Sequence, residues 1–337
     1  MSDLTLLLAT SPACLVACVF LVSLLVGSFL NVVIYRLPIM LERDWQAQAR
    51  EVLEPAGAPI AVAESTYLAE STDVAGSNVI AESADVAEPV APVPTGAVEE
   101  PERYNLVVPR SRCPSCHTEI KARHNVPVVS YLLLGGKCAY CGVRISPRYP
   151  IVEFITALLS AAVALRFGWH WQTLAALVFT WSLIALTVID LDHTLLPDAI
   201  TLPLLWLGLL ASLGWHEGTA PPAPTDPRSA ILGAVSGYLV LWLVYWAFKL
   251  LTGKEGMGYG DFKLFGALGA WLGWQMLPLV LLLSAFTGAL LGIVLIVVRG
   301  RDRNVPIPFG PHLAVAGWIA LVWGPQIVNG YLAFMDR

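Results

Sequence analysis

The stretch GMGYGDFKLFGALGAWLGW, residues 256–274, places one carboxylate, Asp261, at the start of an otherwise apolar run. Similar apolar runs recur through the 337-residue chain, of which 56% is hydrophobic and 13% charged, with a mean hydropathy of +0.67. A soluble globular chain carries about 25% charged residues, and a helix needs roughly 20 apolar residues to cross a bilayer. The sequence therefore predicts an all-α polytopic membrane protein.

Eight apolar segments are predicted to form transmembrane helices. They cover approximately residues 13–35, 151–168, 172–190, 199–215, 229–250, 262–275, 278–298 and 310–329. With the N-terminus outside the cytosol, the cytosolic segments hold seventeen Lys and Arg residues and the outer segments hold three. Because cytosolic loops carry the excess of basic residues, both termini are expected on the periplasmic side.

A long polar region, 36–150, separates the first helix, within 1–35, from a seven-helix domain, 151–337. This cytosolic region includes an acidic stretch, since residues 51–102 hold eleven Asp and Glu and no Lys or Arg. The stretch has too few large apolar side chains to offset the entropy cost of ordering it. A disordered acidic insert is therefore predicted over 52–102, with a docking arm as the alternative. The basic residues elsewhere are scattered, so no nucleic-acid partner is predicted.

Two Cys-x-x-Cys pairs, CPSC and CAYC, lie in the remaining part of the polar region, 103–150. Two such pairs can enclose a tetrahedral zinc ion, whose softness suits thiolates. Disulfides are disfavoured in the cytosol, so a structural Zn²⁺ site in a loop domain between helices 1 and 2 is predicted. Its ligands would be Cys113, Cys116, Cys138 and Cys141. The other cysteines, Cys14 and Cys18, lie inside the first helix and are interpreted as buried free thiols.

A second acid, Asp190, closes the third predicted helix in LTVIDLDHTLLPD, 186–198. The predicted topology places Asp190 and Asp261 at the cytosolic ends of their helices, and ionisable groups at membrane depth indicate a functional site. Two carboxyl groups that share one proton can activate water for peptide hydrolysis. Helix dipoles favour Asp261 as the base and Asp190 as the acid. Gly258 and Gly260 are predicted to form a supporting loop that turns tightly and lets a substrate strand approach.

Several motifs of this sequence occur together, in this order, in one known family. GYGDFK contains the Gly-x-Gly-Asp signature of intramembrane aspartic proteases, and IDLDHTLLPD is similar to its partner aspartate motif. The other motifs are GSFLNVVIYRLP (27–38), the Cys pairs, RYPIVE (148–153) and PIPFGP (306–311). The chain resembles the type IV prepilin peptidases, the bifunctional bacterial prepilin leader peptidase/N-methyltransferases, over its whole length apart from 52–102.

The resemblance implies that Asp190 and Asp261 are the catalytic residues of an aspartic endopeptidase of the bacterial inner membrane. Such an enzyme cleaves the basic leader from type IV prepilins and type II secretion pseudopilins, after a glycine and on the cytosolic side. It then methylates the new N-terminal residue with S-adenosylmethionine, and the family also agrees with zinc at the four cysteines.

Nothing in the spacing of this sequence indicates the methyl-transfer site. Gly136, in LLLGGKC (132–138), is a candidate residue near that activity, with a turn glycine as the alternative interpretation. For the whole chain, the alternatives are an ion-coupled membrane transporter with a carboxylate relay and a zinc-bearing scaffold without enzymatic activity. No clear internal repeat of the kind common in transporters is apparent. The sequence does not indicate the oligomeric state.

Overall fold

A computed structural model describes residues 3–53, 104–113, 115–121, 124–214, 225–254, 256–299 and 308–336. Over these residues the chain folds into helices and loops without a β-strand, which confirms the predicted fold class. The helices are α1 (Asp3–Thr10), α2 (Pro12–Leu53), α3 (Val129–Leu133), α4 (Arg148–Phe167), α5 (Trp171–His193), α6 (Asp198–Ser212), α7 (Pro227–Thr252), α8 (Tyr259–Leu272), α9 (Leu277–Arg299) and α10 (Gly310–Met335). Of the predicted acidic insert, 52–102, all but the last two residues of α2 lies outside the described residues.

Six of the described helices are long and apolar enough to cross a membrane. They are α2, α4, α5, α7, α9 and α10. The other two predicted spans, α6 with 15 residues and α8 with 14, fall short of the roughly 20 residues that a crossing needs. The expected eight transmembrane helices are therefore six helices of spanning length, with two shorter helices packed among them.

The short helix α8 lies at the centre of the apolar core. Its neighbour α7 approaches it to backbone contact, because a Cβ built on Gly233 would collide with the carbonyl oxygen of Gly269. On another side, the indole N–H of Trp271 donates to the carbonyl oxygen of Leu204 in α6 at 2.8 Å. Almost every residue of α8 from Asp261 onward is buried, so α8 is enclosed by protein rather than by lipid.

The helix α2 continues to Leu53, past its predicted end at Tyr35. The residues after Tyr35 are mostly Leu, Glu, Arg, Gln and Ala, which favour helix in a polar environment as well as in an apolar one. The last part of α2 belongs to a second compact unit, Met40–Pro109, separate from the unit that contains the other helices. Within this second unit the Arg43 guanidinium lies 4.4 Å from the centre of the Tyr104 ring.

Several of the described helix ends meet at one end of the bundle. Arg148, at the start of α4, forms an ion pair with Asp192 in the last turn of α5. Asp198, at the start of α6, forms an ion pair with Lys263 in the second turn of α8. The first residue of α10, Gly310, lies against the last turn of α5. The loops and helix termini that carry the predicted acids are therefore gathered in one place.

Candidate functional site

The two predicted acids lie together at this end of the bundle. Asp190 is in the last turn of α5 and Asp261 is in the first turn of α8. Their side chains are buried, with 5% and 7% of their surface exposed. The carboxyl group of Asp190 is close enough for its charge to act on Asp261. Folding thus brings two buried carboxyl groups from distant parts of the sequence into electrostatic contact.

Each carboxyl group also faces the backbone N–H group of a residue at a helix N-terminus. The N–H of Gly310, the first residue of α10, faces Asp190, and the N–H of Gly258, the N-cap of α8, faces Asp261. The buried atoms Oδ2 of Asp190 and Oδ1 of Asp261 have no hydrogen-bonding partner among the described residues. Because a buried polar atom without a partner is costly, these two oxygens are suited to bind water or a substrate group.

This arrangement changes the argument about which acid is the base. The expected assignment of Asp261 as base and Asp190 as acid depended on Asp190 facing only the C-terminal end of its own helix. In the structure Asp190 also faces the N-terminus of α10 through Gly310. A helix N-terminus therefore acts on each of the two carboxyl groups, and helix dipoles do not distinguish the two roles.

Leu196, in the short link between α5 and α6, packs against Gly260 and Gly310, which neighbour the two acids. A Cβ built on Gly260 would lie 2.7 Å from Leu196 Cβ, and one built on Gly310 would lie 3.1 Å from Leu196 Cδ1. Leu196 itself is buried. It therefore packs against both Gly260, the residue before Asp261, and Gly310, which lies against Asp190. The apolar pattern of the link gave no indication of this position.

The backbone around Gly258 and Gly260 differs from the predicted tight turn. Gly258 has φ −80°, which any residue can adopt, and Gly260 is part of α8. A Cβ on Gly258 would lie 3.8 Å from Asp261 Oδ2, an ordinary contact, whereas a Cβ on Gly260 would collide with Leu196. Gly260 is thus needed for helix-to-link packing, and nothing in the backbone of Gly258 requires glycine.

Sequence reasoning did not identify the partners of the two acids. Gly310 lies in the PIPFGP motif, and the signal that marks it is a glycine and a proline at the start of a helix. Asp198 and Lys263 each lie near one of the acids, and the Lys263 Nζ atom is 2.7 Å from both carboxylate oxygens of Asp198. Their pairing depends on tertiary structure, so no pattern in the sequence predicts it.

The four cysteines of the two pairs form one cluster in residues 110–147, which we call the four-cysteine segment. Their Sγ atoms lie within 4.8 Å of one another and could hold a metal ion. The Sγ atoms of Cys113 and Cys141 are 3.8 Å apart. Two thiolates in a tetrahedral shell, each about 2.3 Å from zinc, are separated by about 3.8 Å.

The four-cysteine segment contains two copies of the same turn. The N–H of Cys113 donates to the carbonyl oxygen of Thr118, and the N–H of Cys138 donates to that of Val143 in the same way. Equivalent positions in the two turns have left-handed backbone, with φ 53° at His117 and φ 71° at Gly142. An isolated antiparallel bridge closes each turn, Arg112 with Glu119 and Lys137 with Arg144. The repeat presents two cysteine pairs in equivalent geometry, as a shared metal ion requires.

Gly136 lies just before the second turn. It is buried, has φ 68°, and a Cβ at this position would lie 2.9 Å from the hydroxyl oxygen of Tyr131. Its N–H donates to the carbonyl oxygen of Tyr131, and its own carbonyl oxygen accepts from the N–H of Ile145. This conformation and packing fit a turn glycine. A role for Gly136 in methyl transfer stays a prediction.

Glu153 connects the four-cysteine segment to the helix bundle. It lies near the start of α4 and is buried, and its Oε2 atom accepts a hydrogen bond from the N–H of Val128 at 2.8 Å. Val128 is the N-cap of α3 and has a left-handed backbone, φ 58°. Glu153 therefore ties the four-cysteine segment to the same end of the bundle as the two acids.

Comparisons with known proteins agree with these features. Two family models match the chain, the bacterial peptidase A24 N-terminal domain over residues 21–167 and the type IV leader peptidase family over residues 177–293. A prepilin leader peptidase/N-methyltransferase of Aeromonas salmonicida (strain A449) is 54% identical over 94% of this chain and 93% of its own. Proteins of that name in Pseudomonas aeruginosa and Xanthomonas campestris are 50% and 44% identical, over 97% and 92% of both chains. No solved structure matches the chain.

Proposed function

The chain belongs to the type IV leader peptidase family, and we propose that it removes the leader from prepilins and methylates the new N-terminus. The names of relatives that match nearly the whole chain support both activities. One structural observation supports the site of the peptidase reaction: Asp190 and Asp261 are buried side by side, each with one oxygen without a partner among the described residues. Membership of a peptidase family argues against the alternatives of a transporter and a scaffold.

Peptide hydrolysis follows from the arrangement of the two carboxyl groups. Because two negative charges so close together are costly, the pair shares a single proton. The ionised carboxylate takes a proton from water while the water oxygen attacks the scissile carbonyl carbon, and the other carboxyl group gives its proton to the carbonyl oxygen. The tetrahedral intermediate then collapses: the C–N bond breaks, the hydroxyl proton returns to one carboxylate, and the amine leaves with the proton from the other.

The chain's own backbone prepares this reaction. The N–H groups of Gly310 and Gly258 face the carboxyl groups of Asp190 and Asp261, and Oδ2 of one and Oδ1 of the other remain for water and substrate. The buried side chain of Leu196 packs against Gly260 and Gly310 and supplies an apolar neighbour to the site. Fixed donors and an apolar neighbour lower the reorganisation that the reaction needs.

The charge bias of the loops supports the proposed orientation of the enzyme. The excess of Lys and Arg on one side supports periplasmic termini and an aspartate pair at the cytosolic face. The bacterial inner membrane is proposed from the resemblance to the prepilin peptidases. Type IV prepilins and type II secretion pseudopilins are the proposed substrates, cut after a glycine. The proposed domains are the first helix within 1–35, the cytosolic region 36–150 with its zinc module 103–150, and the membrane peptidase domain 151–337.

The proposed cofactors are a structural zinc ion and S-adenosylmethionine. Four thiolates complete a tetrahedral shell without an open position, so the ion at Cys113, Cys116, Cys138 and Cys141 would stabilise the fold. S-adenosylmethionine, when bound, supplies the methyl group that is transferred to the amine. Gly136 is the candidate residue near this activity, and its place beside the cysteine cluster supports the four-cysteine segment as the region to test.

Cleavage of a purified prepilin by the detergent-solubilised enzyme tests the aspartate pair. Asp190→Asn and Asp261→Asn keep the shape of the side chains and remove proton transfer, so each is expected to slow cleavage at least about 100-fold. Asp226→Asn is the matched control, because Asp226 caps the start of α7, and asparagine caps a helix equally well. Wild-type cleavage rates in either aspartate variant would refute the proposed site.

A further inference from the structure

The ion pair between Asp198 and Lys263 has a geometry and location that the peptidase mechanism does not use. The Lys263 Nζ atom is 2.7 Å from both carboxylate oxygens of Asp198, so the lysine is centred on the carboxylate. Lys263 lies two residues after Asp261, in the second turn of α8. Asp198 is the first residue of α6. The pair thus joins α8, which carries Asp261, to the start of α6, where the link that follows Asp190 ends.

The link between α5 and α6 is short and tightly held. It begins at Thr194, which ends α5 with a left-handed backbone, φ 49°. It includes Leu196, which presses on Gly260 and lies near Gly310. The link has four residues, 194–197, and Leu196 lies two residues before Asp198. A displacement of Asp198 would therefore be transmitted to Leu196 and to the end of α5.

Stability does not explain this ion pair. The side chains of Lys263 and Asp198 are 31% and 53% exposed, and exposed ion pairs contribute little to stability. A lysine at this place is accounted for by its contact with the neighbouring helix.

We propose that Asp198 and Lys263 are positioning residues, whose ion pair fixes the α5–α6 link against α8 and so sets the separation of Asp190 and Asp261. The pair acts through Leu196 and the helix ends rather than by contact with the reacting atoms. This inference depends on the proposed peptidase reaction, because its consequence is the rate of that reaction.

Steady-state cleavage of a purified prepilin by Lys263→Met, Asp198→Asn and the double variant tests the inference. Small misplacements of catalytic groups lower rates by up to about 100-fold, so each single variant is expected to lose about 10- to 100-fold in kcat with little change in KM. The double variant should be no slower than the slower single variant, because all three lose the same contact. Lys263→Arg keeps the ion pair and should retain most activity.

Arg110→Met is the control, because it breaks an exposed ion pair with Glu119 that lies in the four-cysteine segment. The melting temperature should change little in all these variants. Additive losses in the double variant, an unchanged kcat in both single variants, or a rise in KM alone would overturn the inference. If Lys263→Met does not fold, the kcat of Asp198→Asn alone tests the inference. A wild-type enzyme that does not cleave prepilin would instead refute the proposed function.

Discussion

Replacing Gly310 by alanine should disable the aspartate pair while leaving both acids in the sequence. A Cβ at this position would lie 2.5 Å from Asp190 Oδ2, the oxygen that has no hydrogen-bonding partner among the described residues. A methyl carbon and an oxygen in contact are separated by at least about 3.0 Å, so the carboxyl group must move by about 0.5 Å or more. Because a misplacement of about 1 Å can cost a factor of 100, kcat for prepilin cleavage should fall about 10- to 100-fold.

Gly258→Ala is the control for this experiment. Gly258 also faces a carboxyl group, but a Cβ there would lie 3.8 Å from Asp261 Oδ2 and needs no displacement. Its kcat should therefore stay within about threefold of wild type, since an uncrowded site loses no catalytic geometry. The extra methyl group of Gly310→Ala should also lower the free energy of unfolding by about 1–3 kcal/mol. Wild-type kcat in a folded Gly310→Ala enzyme would refute the packing argument, as would an equal loss in the control.

Three further predictions concern the four-cysteine segment and the opposite end of the bundle. Glu153→Ala removes the acceptor of the partly buried N–H of Val128 and should cost about 1–3 kcal/mol in thermal unfolding. Glu153→Gln keeps an acceptor oxygen and should cost less; equal losses would contradict the role of this hydrogen bond. Cys138→Ser should lower bound zinc and the melting temperature together, while Cys18→Ser, inside α2, should leave zinc content unchanged; full zinc retention by Cys138→Ser would contradict a four-cysteine site. Hydrogen bonds from Ser229 lower the pKa of Asp226 in the folded protein. The Asp226 carboxylate therefore stabilises the fold above its unfolded pKa of about 3.9, and this stabilisation is lost as pH falls through the lower folded pKa. Asp226→Ala should therefore cost about 1 kcal/mol at pH 7, and the difference in melting temperature from wild type should shrink in acid; a difference independent of pH would contradict this account.

The sequence predicts those features that depend on short stretches of chain. Each of the main apolar helices from α4 onward lies close to an apolar run, because lipid and core select apolar residues along the whole length of a segment. The cysteine pairs likewise predict their cluster, since each pair forms one local turn. Asp190 and Asp261 could be identified because an acid next to an apolar run is rare and therefore informative.

Features that arise where separate elements meet could not be predicted in the same way. The α6 and α8 segments are as apolar as their neighbours, so hydropathy predicts that they cross the bilayer. It does not predict that α8 is enclosed by protein and can therefore be shorter than the bilayer thickness. Similarly, α2 continues past the apolar segment because helix formation depends on backbone propensity, whereas hydropathy reports only the solvent.

The electrostatic field at Asp190 and Asp261 also depends on how separate helices meet. From sequence position alone, the helix dipoles were expected to give opposite local fields at the two acids, because Asp190 ends one helix and Asp261 begins another. In the folded protein the start of α10 meets the end of α5, and the N–H of Gly310 faces Asp190. The field at a buried carboxyl group depends on every dipole within a few ångströms. For Asp190 these include the N-terminus of α10, which begins 120 residues later in the sequence. An assignment of acid and base roles in such a pair therefore requires the packing of all the helix ends around it, and the side chain's own helix is insufficient.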